Sequence, residues 1–257
     1  MMTNIDILSG MYEVHQFSGG ELQVTVKSCP TEVDIVAHLK SAHDIMELML
    51  VVDAIRRMGG RSIKTLHIPY FPYARQDRVC AKGQSLSVKV MADLINSLNV
   101  PVVHITDPHS DVTPALINNC VVTEQHTIIP NEVYRNKVVV CPDAGAEKKI
   151  IKLGVPYVMA TKVRNPETGE IIKTTVPEPE ELHGYDYIII DDICDGGRTF
   201  IELAKVLKKH GANSVDLYVT HGIFSNGLQP ILSHIDHIYC YNIFNDRNYD
   251  MNNLTLV

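Results

Sequence analysis

The residues with the clearest capacity for chemistry lie in the segment YDYIIIDDICDGGRTFIEL, which spans 185–203. An apolar run that predicts a buried strand leads into Asp191 and Asp192, and Asp195 follows closely. In an open α/β sheet, ligands bind outside the carboxyl ends of the strands, where we expect these carboxylates to lie. Paired carboxylates at such a place suit two tasks, since they accept hydrogen bonds from sugar hydroxyls or hold a bridging cation.

A glycine turn follows the carboxylates and precedes a predicted helix. The turn contains Asp195, Gly196, Gly197, Arg198 and Thr199. A turn of this kind exposes backbone N–H groups at the positive end of the helix dipole, which suits a phosphate group. A plainer interpretation is that Asp195 caps the helix and the glycines only make the turn. The order of strand, paired aspartates, glycine turn and helix is more specific than a glycine turn alone, and it favours a phosphorylated sugar as ligand.

The surrounding patterns of strands and helices predict an α/β fold with mainly parallel sheets. Nearly continuous apolar runs in the predicted strands indicate that helices cover both faces of each sheet. Apolar stripes predict the buried face of two helices: Leu86, Val90, Leu94 and Leu98 in the first, and Phe200, Leu203, Ala204 and Leu207 in the second. The chain divides most readily within 123–136, which gives domains at 1–127 and 128–257.

Composition narrows the function classes. The formal net charge of −7 argues against non-specific binding of nucleic acid. No apolar run approaches the ~20 residues that a membrane helix needs, and the N-terminus lacks the pattern of a signal peptide. The 6 cysteines form no C-x-x-C pair, which disfavours a zinc or redox site. We therefore expect a soluble, cytoplasmic protein with neither a nucleic-acid nor a membrane partner.

The segment at 185–203 resembles the phosphoribosyl-pyrophosphate loop of type I phosphoribosyltransferases and ribose-phosphate pyrophosphokinases. Further segments resemble the pyrophosphokinases alone and come in family order: FSGGEL (17–22), PYFPYARQDR (69–78), TDPHSD (106–111), VCPDAGAEKK (140–149) and VTHGIFS (219–225). The chain is thus similar to the phosphoribosyl-pyrophosphate synthetases over almost its whole length. This resemblance implies two tandem type I phosphoribosyltransferase-like domains. It also implies transfer of the β,γ-diphosphoryl group of ATP to the anomeric hydroxyl of ribose 5-phosphate, with release of AMP.

By the same resemblance, the N-terminal domain supplies the ATP-binding residues, which are Phe17, Glu21, Arg75, Gln76, Asp77, Arg78 and His109. The planar forks of the arginines suit phosphate oxygens, although a solvated turn with a salt bridge is the plainer interpretation. Phe17 could stack on adenine and Glu21 could accept a hydrogen bond from its amino group, whereas a core position is the alternative for Phe17. In the family this hairpin serves the ATP site of a neighbouring subunit, which implies a homo-oligomer, at least a dimer.

The resemblance also implies Mg²⁺ as cofactor, with ATP as co-substrate, at Asp107, His109 and Asp143. Because Mg²⁺ prefers oxygen donors and water, Asp143 is the better ligand, and His109 is the better candidate for an outer-shell or phosphate contact. Lys162 and Arg164 correspond to the family's mobile catalytic loop, where two cations could stabilise the transferring phosphates. Without the resemblance they would be interpreted as a solvated strand end.

The chain departs from the family at the phosphosugar loop, which usually reads Asp-Thr-x-Gly-Thr. Here Gly196 removes a hydroxyl and Arg198 adds a cation. Ribose 5-phosphate is the leading acceptor, and a larger 5-phosphoribosyl compound such as ADP-ribose is the alternative. A catalytically inactive regulatory subunit is a further alternative, against which the retained Lys162 and Asp143 argue. A phosphoribosyltransferase that consumes the product would need no ATP, and no nucleobase-specific segment is apparent. The helix that the family places after IDILSG (5–10) has no room in this sequence.

Overall fold

The structure is a computed structural model that describes residues 4–164, 171–176, 184–244, 249 and 251–257. Within these ranges, 162–164 and 171–174 are described as backbone only. The chain forms two compact units, 1–124 and 125–257, whereas the sequence suggested a division at 127/128. Within the described ranges, no helix is both long and apolar enough to cross a membrane.

The N-terminal unit combines a mainly parallel sheet with a separate hairpin. Its strands are β1 (Ile5–Ile7), β2 (Met11–Gln16), β3 (Leu22–Ser28), β4 (Glu32–Ala37), β5 (Ser62–Ile68), β6 (Val102–Thr106) and β7 (Cys120–Thr123). Its helices are α1 (Ala42–Arg57), α2 (Ser87–Ser97) and α3 (Val112–Leu116). The sheet order is β1-β4-β5-β6-β7, with β1 antiparallel and the other pairs parallel. Strands β2 and β3 pair antiparallel as the hairpin.

The N-terminal sheet buries one of its faces. Alternate residues of β4 and β5, such as Ile35 and Leu66, pack with the inner sides of α1 and α2 in one apolar cluster. The strand register places Asp34, His67 and His104 on the other face, where they are only half-buried. The prediction that both faces are covered is therefore wrong for this sheet. The reason is that β4, β5 and β6 carry polar side chains at alternate positions, a pattern typical of a half-solvated sheet.

The predicted helix exists at Ser87–Ser97, but only part of its predicted apolar stripe is buried, since Leu98 is buried and Leu86 half-buried. Val90 and Leu94 are 58% and 40% exposed, while Met91 and Ile95 are buried. The helix carries a second apolar stripe, and that stripe faces the sheet. Periodicity alone could not choose between two stripes on one helix.

The C-terminal unit contains a larger, fully parallel sheet. Its strands are β8 (Val138–Cys141), β9 (Tyr157–Met159), β10 (Thr161–Arg164), β11 (Ile171–Thr175), β12 (Asp186–Cys194), β13 (Ser214–Gly222), β14 (His237–Ile243) and β15 (Leu254–Leu256). Its helices are α4 (Gln125–Ile128), α5 (Asn131–Tyr134), α6 (Ala144–Ile151), α7 (Arg198–Lys209) and α8 (Gln229–Leu232), with a 3₁₀ turn at Met251–Asn253. The sheet order is β15-β14-β13-β12-β8-β9, and β10 and β11 form a separate antiparallel pair.

Both faces of the C-terminal sheet are buried, as predicted. Ile189 packs with Leu203 of α7 in one apolar cluster. Its neighbours Ile188 and Ile190 belong to a second cluster that includes Ile150 of α6. The predicted stripe of α7 is confirmed, since Phe200, Leu203, Ala204 and Leu207 are all buried. Two helix layers thus hold β12, the strand that carries the paired aspartates.

Candidate active site

Strand β12 continues through the paired aspartates instead of ending there. Ile193 and Cys194 still pair with β13, opposite His221 and Gly222. The backbone of Cys194 then accepts hydrogen bonds from the N–H groups of Ile223 (2.8 Å) and Phe224 (3.1 Å). The expected strand end at 192 is therefore two residues too early. The consequence is that the carboxylates project from a paired, rigid strand and not from a loop.

The glycine turn that follows has a conformation that only glycine fits well. Gly197 has φ of +77°, and a Cβ at this position would lie 2.5 Å from Cγ1 of Ile231. Helix α7 begins at Arg198, with Gly197 at the N-cap position and no side-chain capping hydrogen bond. A glycine at the N-cap position has no side chain to cap the helix. The first-turn N–H groups of α7 lie at the positive end of the helix dipole.

The aspartate pair is held by a cation that sequence reasoning missed. Nζ of Lys149 lies 3.0 Å from Oδ2 of the buried Asp192, and Lys149 itself is 22% exposed. The backbone N–H of Asp192 donates to Oδ1 of Asp191 at 2.9 Å. Burial and the adjacent charge of Asp192 raise the pKa of Asp191 well above its ordinary value. The site thus combines an ion-paired carboxylate, Asp192, with a neighbouring carboxyl, Asp191, that ionises less readily.

Gln125 is a second residue that sequence reasoning missed. Its amide nitrogen donates to the backbone oxygen of Asp191 at 2.8 Å and to Oγ1 of Thr220 at 3.2 Å. Gln125 and Thr220 are both buried, so this amide ties β12 to β13 beside the aspartates. The sequence offered one signal for Lys149, which lies in the quoted segment VCPDAGAEKK. It offered none for Gln125, because a lone glutamine at a domain boundary has no distinguishing pattern.

Asp143, a predicted metal ligand, caps helix α6 in this structure. Its Oδ1 accepts from the N–H groups of Gly145 (3.0 Å) and Ala146 (3.3 Å). The same helix carries Lys149, and β8, which precedes it, pairs with β12. The turn at 142–145 and the paired aspartates are therefore parts of one region at the carboxyl ends of neighbouring strands. One oxygen of Asp143 therefore serves as the helix cap.

The predicted ATP-binding turn lies in the N-terminal unit after β5. Arg75, Gln76 and Arg78 are exposed, whereas Asp77 is buried. Arg78 holds Asp77 through two hydrogen bonds of 2.8 and 3.2 Å. These bonds, with a smaller contribution from Ser110, lower the pKa of Asp77. Asp77 and Arg78 thus form the salt bridge of the plainer interpretation, Arg75 and Gln76 are exposed, and the predicted ATP-binding role of all four residues stays a prediction.

The other residues of this unit that were predicted to bind ATP or a metal are Asp107, His109 and two residues at the tip of the β2–β3 hairpin. Asp107 follows β6, is buried, and has φ of +41°, with its N–H donating to the backbone oxygen of Thr123 at 2.8 Å. His109 is exposed. Phe17 and Glu21 close the β2–β3 hairpin, and the N–H of Phe17 donates to the oxygen of Glu21 at 2.9 Å. Phe17 is 48% exposed, so the alternative of a core position is wrong.

Lys162 and Arg164 lie on strand β10, opposite Thr174 and Ile171 of β11. The side chains of both residues lie outside the described part of the structure, as do residues 165–170. Their predicted catalytic role therefore stays a prediction.

The described residues contain no group of three or more His, Cys, Asp or Glu side chains that could hold a metal ion. Mg²⁺ commonly keeps several waters and is bound through one or two carboxylates together with phosphate oxygens of the substrate. Asp107 and Asp143 carry oxygen donors of this kind, and their predicted role as metal ligands stays a prediction.

Comparison with known proteins accounts for both units. The model of the N-terminal domain of ribose phosphate pyrophosphokinase matches residues 1–98, and the phosphoribosyl transferase domain model matches residues 128–250. The ribose-phosphate pyrophosphokinase of Mycoplasma pneumoniae is 30% identical, over 86% of this chain and 70% of the relative. That of Aquifex aeolicus is 32% identical, over 81% of this chain and 70% of the relative. These relatives are transferases.

One solved structure resembles the whole chain. The crystal structure of phosphoribosylpyrophosphate synthetase from Mycobacterium smegmatis has a TM-score of 0.79, at 23% identity. The match covers 96% of this chain and 86% of that chain. The predicted fold class, α/β with two tandem phosphoribosyltransferase-like domains, is confirmed.

Proposed function

Because the chain belongs to the ribose-phosphate pyrophosphokinase family, we propose that it transfers the diphosphoryl group of ATP to the anomeric hydroxyl of ribose 5-phosphate. The products are phosphoribosyl pyrophosphate and AMP. The observation that carries this proposal is the β12–α7 region. It combines a helix N-terminus behind a glycine turn with two carboxylates on the preceding strand. The turn suits the 5-phosphate, and the carboxylates suit the ribose hydroxyls.

The two carboxylates have different tasks in this proposal. Lys149 forms a 3.0 Å ion pair with Asp192, which then accepts hydrogen bonds. Asp191 is half-buried, and its raised pKa makes the protonated form accessible, so that it can donate as well as accept. A ribose with adjacent hydroxyls needs both kinds of partner. The backbone N–H groups of Arg198 and Thr199 hold the phosphate, and the hydroxyl of Thr199 adds a donor.

The remaining predicted residues take the roles that the family resemblance implies. Arg75, Gln76 and His109 contact the phosphates of ATP, and Phe17 with Glu21 holds the adenine of a neighbouring subunit. Asp107 and Asp143 would be ligands of Mg²⁺, which would supply positive charge to the phosphates of ATP when bound. Lys162 and Arg164 stabilise the charge that develops during transfer. The working form is then a homo-oligomer, at least a dimer, and we place it in the cytoplasm.

A second candidate keeps the reaction but takes a larger acceptor. Arg198 is exposed at the first position of α7, and among the described residues no hydrogen bond or ion pair engages its side chain. A guanidinium beside a monophosphate site could contact a second phosphate, as in ADP-ribose. The family's usual glycine at this position offers no such group.

The experiment that tests both candidates is AMP release from ATP and Mg²⁺ with ribose 5-phosphate, with ADP-ribose, and without acceptor. We expect release with ribose 5-phosphate and none without Mg²⁺. Release mainly with ADP-ribose would support the second candidate, and Arg198→Gln should then lower its kcat/KM about ten-fold or more. Lys209→Gln, which removes a cation at the other end of α7, is the matched control. Release with neither acceptor would contradict both and would favour a regulatory subunit.

The catalytic residues need a separate variant. Lys162→Ala should lower the rate of AMP formation by about 10²-fold or more, because it removes a charge that acts only in the transition state. Lys205→Ala, which removes an exposed cation on α7, should leave the rate unchanged. A rate within a few-fold of the parent for Lys162→Ala would show that the catalytic loop is assigned wrongly.

A further inference from the structure

A cavity of about 550 Å³ lies at the amino ends of β8 and β9 in the C-terminal unit. Ligand pockets in proteins usually measure about 300–1,000 Å³, so this cavity can hold a small molecule. The phosphosugar turn follows the carboxyl end of β12. Because β8, β9 and β12 are parallel, their amino ends lie on one side of the sheet and their carboxyl ends on the other. The cavity and the turn therefore lie at opposite ends of the strands. The cavity is therefore separate from the candidate active site, and none of the residues assigned to that site lines it.

The walls of the cavity combine an apolar side with a polar side. Val139, Val155 and Pro156 form part of the apolar side, and the ring of Tyr157 is beside them. The hydroxyl of Tyr157 donates to Glu147 of α6 at 2.8 Å, which fixes the ring. A rigid aromatic and aliphatic wall suits the apolar body of a small organic ligand.

The polar side is built by the short segment between α5 and β8. Tyr134 donates to Oδ1 of Asn131 at 2.5 Å, and Asn136 has φ of +65°, a conformation that asparagine tolerates. The backbone N–H of Arg135 donates to the oxygen of Asn131 at 2.9 Å. This segment is therefore fixed by its own hydrogen bonds, and it presents side-chain amides and a guanidinium to the cavity.

The charge of the lining is positive. The two cations that line the cavity are Arg135 and Lys137, and no carboxylate of the described residues lines it. The charge of Lys137 is compensated by an ion pair, since its Nζ lies 2.6 Å from Oδ2 of the buried Asp216. The same Nζ lies 4.9 Å from the ring centre of Tyr239. Arg135 is exposed, and no ion pair or side-chain hydrogen bond engages it among the described residues. The site therefore has one uncompensated guanidinium beside an apolar wall.

We propose that this cavity is a second ligand site, which binds a small organic anion with one carboxylate or phosphate group on an apolar body. The fork of Arg135 takes the anionic group in a bidentate contact, because its planar geometry matches both kinds of oxyanion. The wall around Tyr157 takes the apolar body. The amides of Asn131 and Asn136 orient polar substituents.

The test is amide NMR of the full chain during titration with benzoate, phenyl phosphate and, as an uncharged match, benzyl alcohol. We expect at least one anion to bind saturably and to shift the amides of 131–137 and 155–158. Arg135→Gln should weaken that binding about ten-fold or more, since it removes a charge-assisted bidentate contact. Lys209→Gln, which removes another exposed cation of the same unit, should leave it unchanged. Whichever of benzoate and phenyl phosphate binds more tightly shows whether the site prefers a carboxylate or a phosphate group.

Three results would overturn the proposal. The first is the absence of saturable binding for both anions. The second is binding of benzyl alcohol as tight as that of the anions, because the guanidinium would then contribute nothing. The third is a set of shifts confined to 195–199, which would place the anion at the glycine turn. Binding is measured without turnover, so failure of the proposed transferase activity would leave this test intact.

Discussion

The two sheets of this protein differ in how many of their faces are buried. The candidate site residues of the two units also differ in how firmly their surroundings hold them. In the C-terminal sheet, successive residues of β12 enter two apolar clusters on opposite faces. In the N-terminal sheet, one face packs against α1 and α2, while His67 and His104 lie half-buried on the other. The phosphosugar carboxylates project from the doubly buried sheet. Most of the predicted ATP contacts, such as Arg75 and His109, are exposed side chains in loops.

This difference has a consequence for binding. A group that must meet a small sugar phosphate with defined geometry profits from a rigid support, and β12 is held by neighbours on both sides and both faces. Exposed side chains such as Arg75 and Gln76 keep their rotamer freedom until a ligand fixes them. We therefore expect the C-terminal unit to be preorganised for the acceptor, and the N-terminal contacts to become ordered when ATP binds.

The largest expected effect tests the number of buried faces directly. Ile188→Ala and Ile189→Ala remove adjacent side chains of β12 that point to opposite clusters and are fully buried. Each should lower the free energy of unfolding by about 2–5 kcal/mol. On β5, Leu66→Ala should cost about as much, whereas His67→Ala should cost less, about 1 kcal/mol, because it loses mainly the 3.0 Å contact with Thr106. Denaturant unfolding of the four variants measures the pattern.

The informative outcome is the contrast between neighbouring residues. Equal losses for Leu66 and His67 would show that both faces of the N-terminal sheet are tightly packed in solution. A small loss for either isoleucine would show that one face of the C-terminal sheet is loosely packed.

A smaller effect tests the glycine turn of the C-terminal unit. Gly197→Ala should lower the free energy of unfolding by about 2–4 kcal/mol, since the left-handed conformation and the contact with Ile231 both oppose a Cβ. Gly154→Ala is the matched control, because Gly154 also has positive φ but has open space around it. It should cost about 1–2 kcal/mol from backbone strain alone. Thermal unfolding of the pair isolates the steric contribution, and equal losses would mean that the turn is not packed against α8.

The sequence predicted the buried residues correctly where the apolar pattern allowed one interpretation only. Helix α7 carries a single apolar stripe, and that stripe is buried as predicted. Helix α2 carries two, and the prediction chose the exposed one with Val90 and Leu94. The paired aspartates and the glycine turn were found from local order alone. Their distance from Lys149 could not be found in this way, because it depends on the pairing of β8 with β12.

The sequence patterns of the strands distinguish a sheet with two buried faces from a sheet with one. Strand β12 contains the unbroken apolar run 187–190, and β13 contains the run 217–219, which correctly predicted two buried faces. In β4, β5 and β6, polar residues such as Asp34 and His104 recur at alternate positions, and this alternation predicts one half-solvated face. The error came from applying the pattern of one sheet to both. The side chains of Lys162 and Arg164 lie outside the described residues, so their role depends on resemblance alone.

Removal of the ion pair beside the aspartates should have a smaller effect on stability. The size of this effect should also differ between the two units. Lys149→Met removes the partner of the buried Asp192 and should lower the free energy of unfolding by about 1–3 kcal/mol. It should also raise the KM for the phosphosugar acceptor, because the side chain of Asp192 loses the contact that holds it in place. Arg78→Met in the N-terminal unit should destabilise less, since Arg78 is 76% exposed and its ion pair with the buried Asp77 is screened by water from the arginine side. A larger loss for Arg78→Met than for Lys149→Met would contradict the difference in burial between the two sites.

The smallest expected effect is a pH dependence confined to the N-terminal sheet. Burial, followed by the neighbouring His104 and His38, lowers the pKa of His67 below its ordinary value of 6.5. The folded chain therefore binds fewer protons at this site than the unfolded chain. The stability that neutral His67 contributes is present above about pH 6.5 and is lost as the pH falls through that value towards the lower folded pKa. Hydrogen exchange at pH 7.5 and 5.5, corrected for the intrinsic rate, should show weaker protection of β5 and β6 at the lower pH. His67→Gln should remove much of that difference and should leave the protection of β12 and β13 unchanged. A parallel loss of protection in both sheets would trace the pH dependence to global unfolding instead of the half-solvated face.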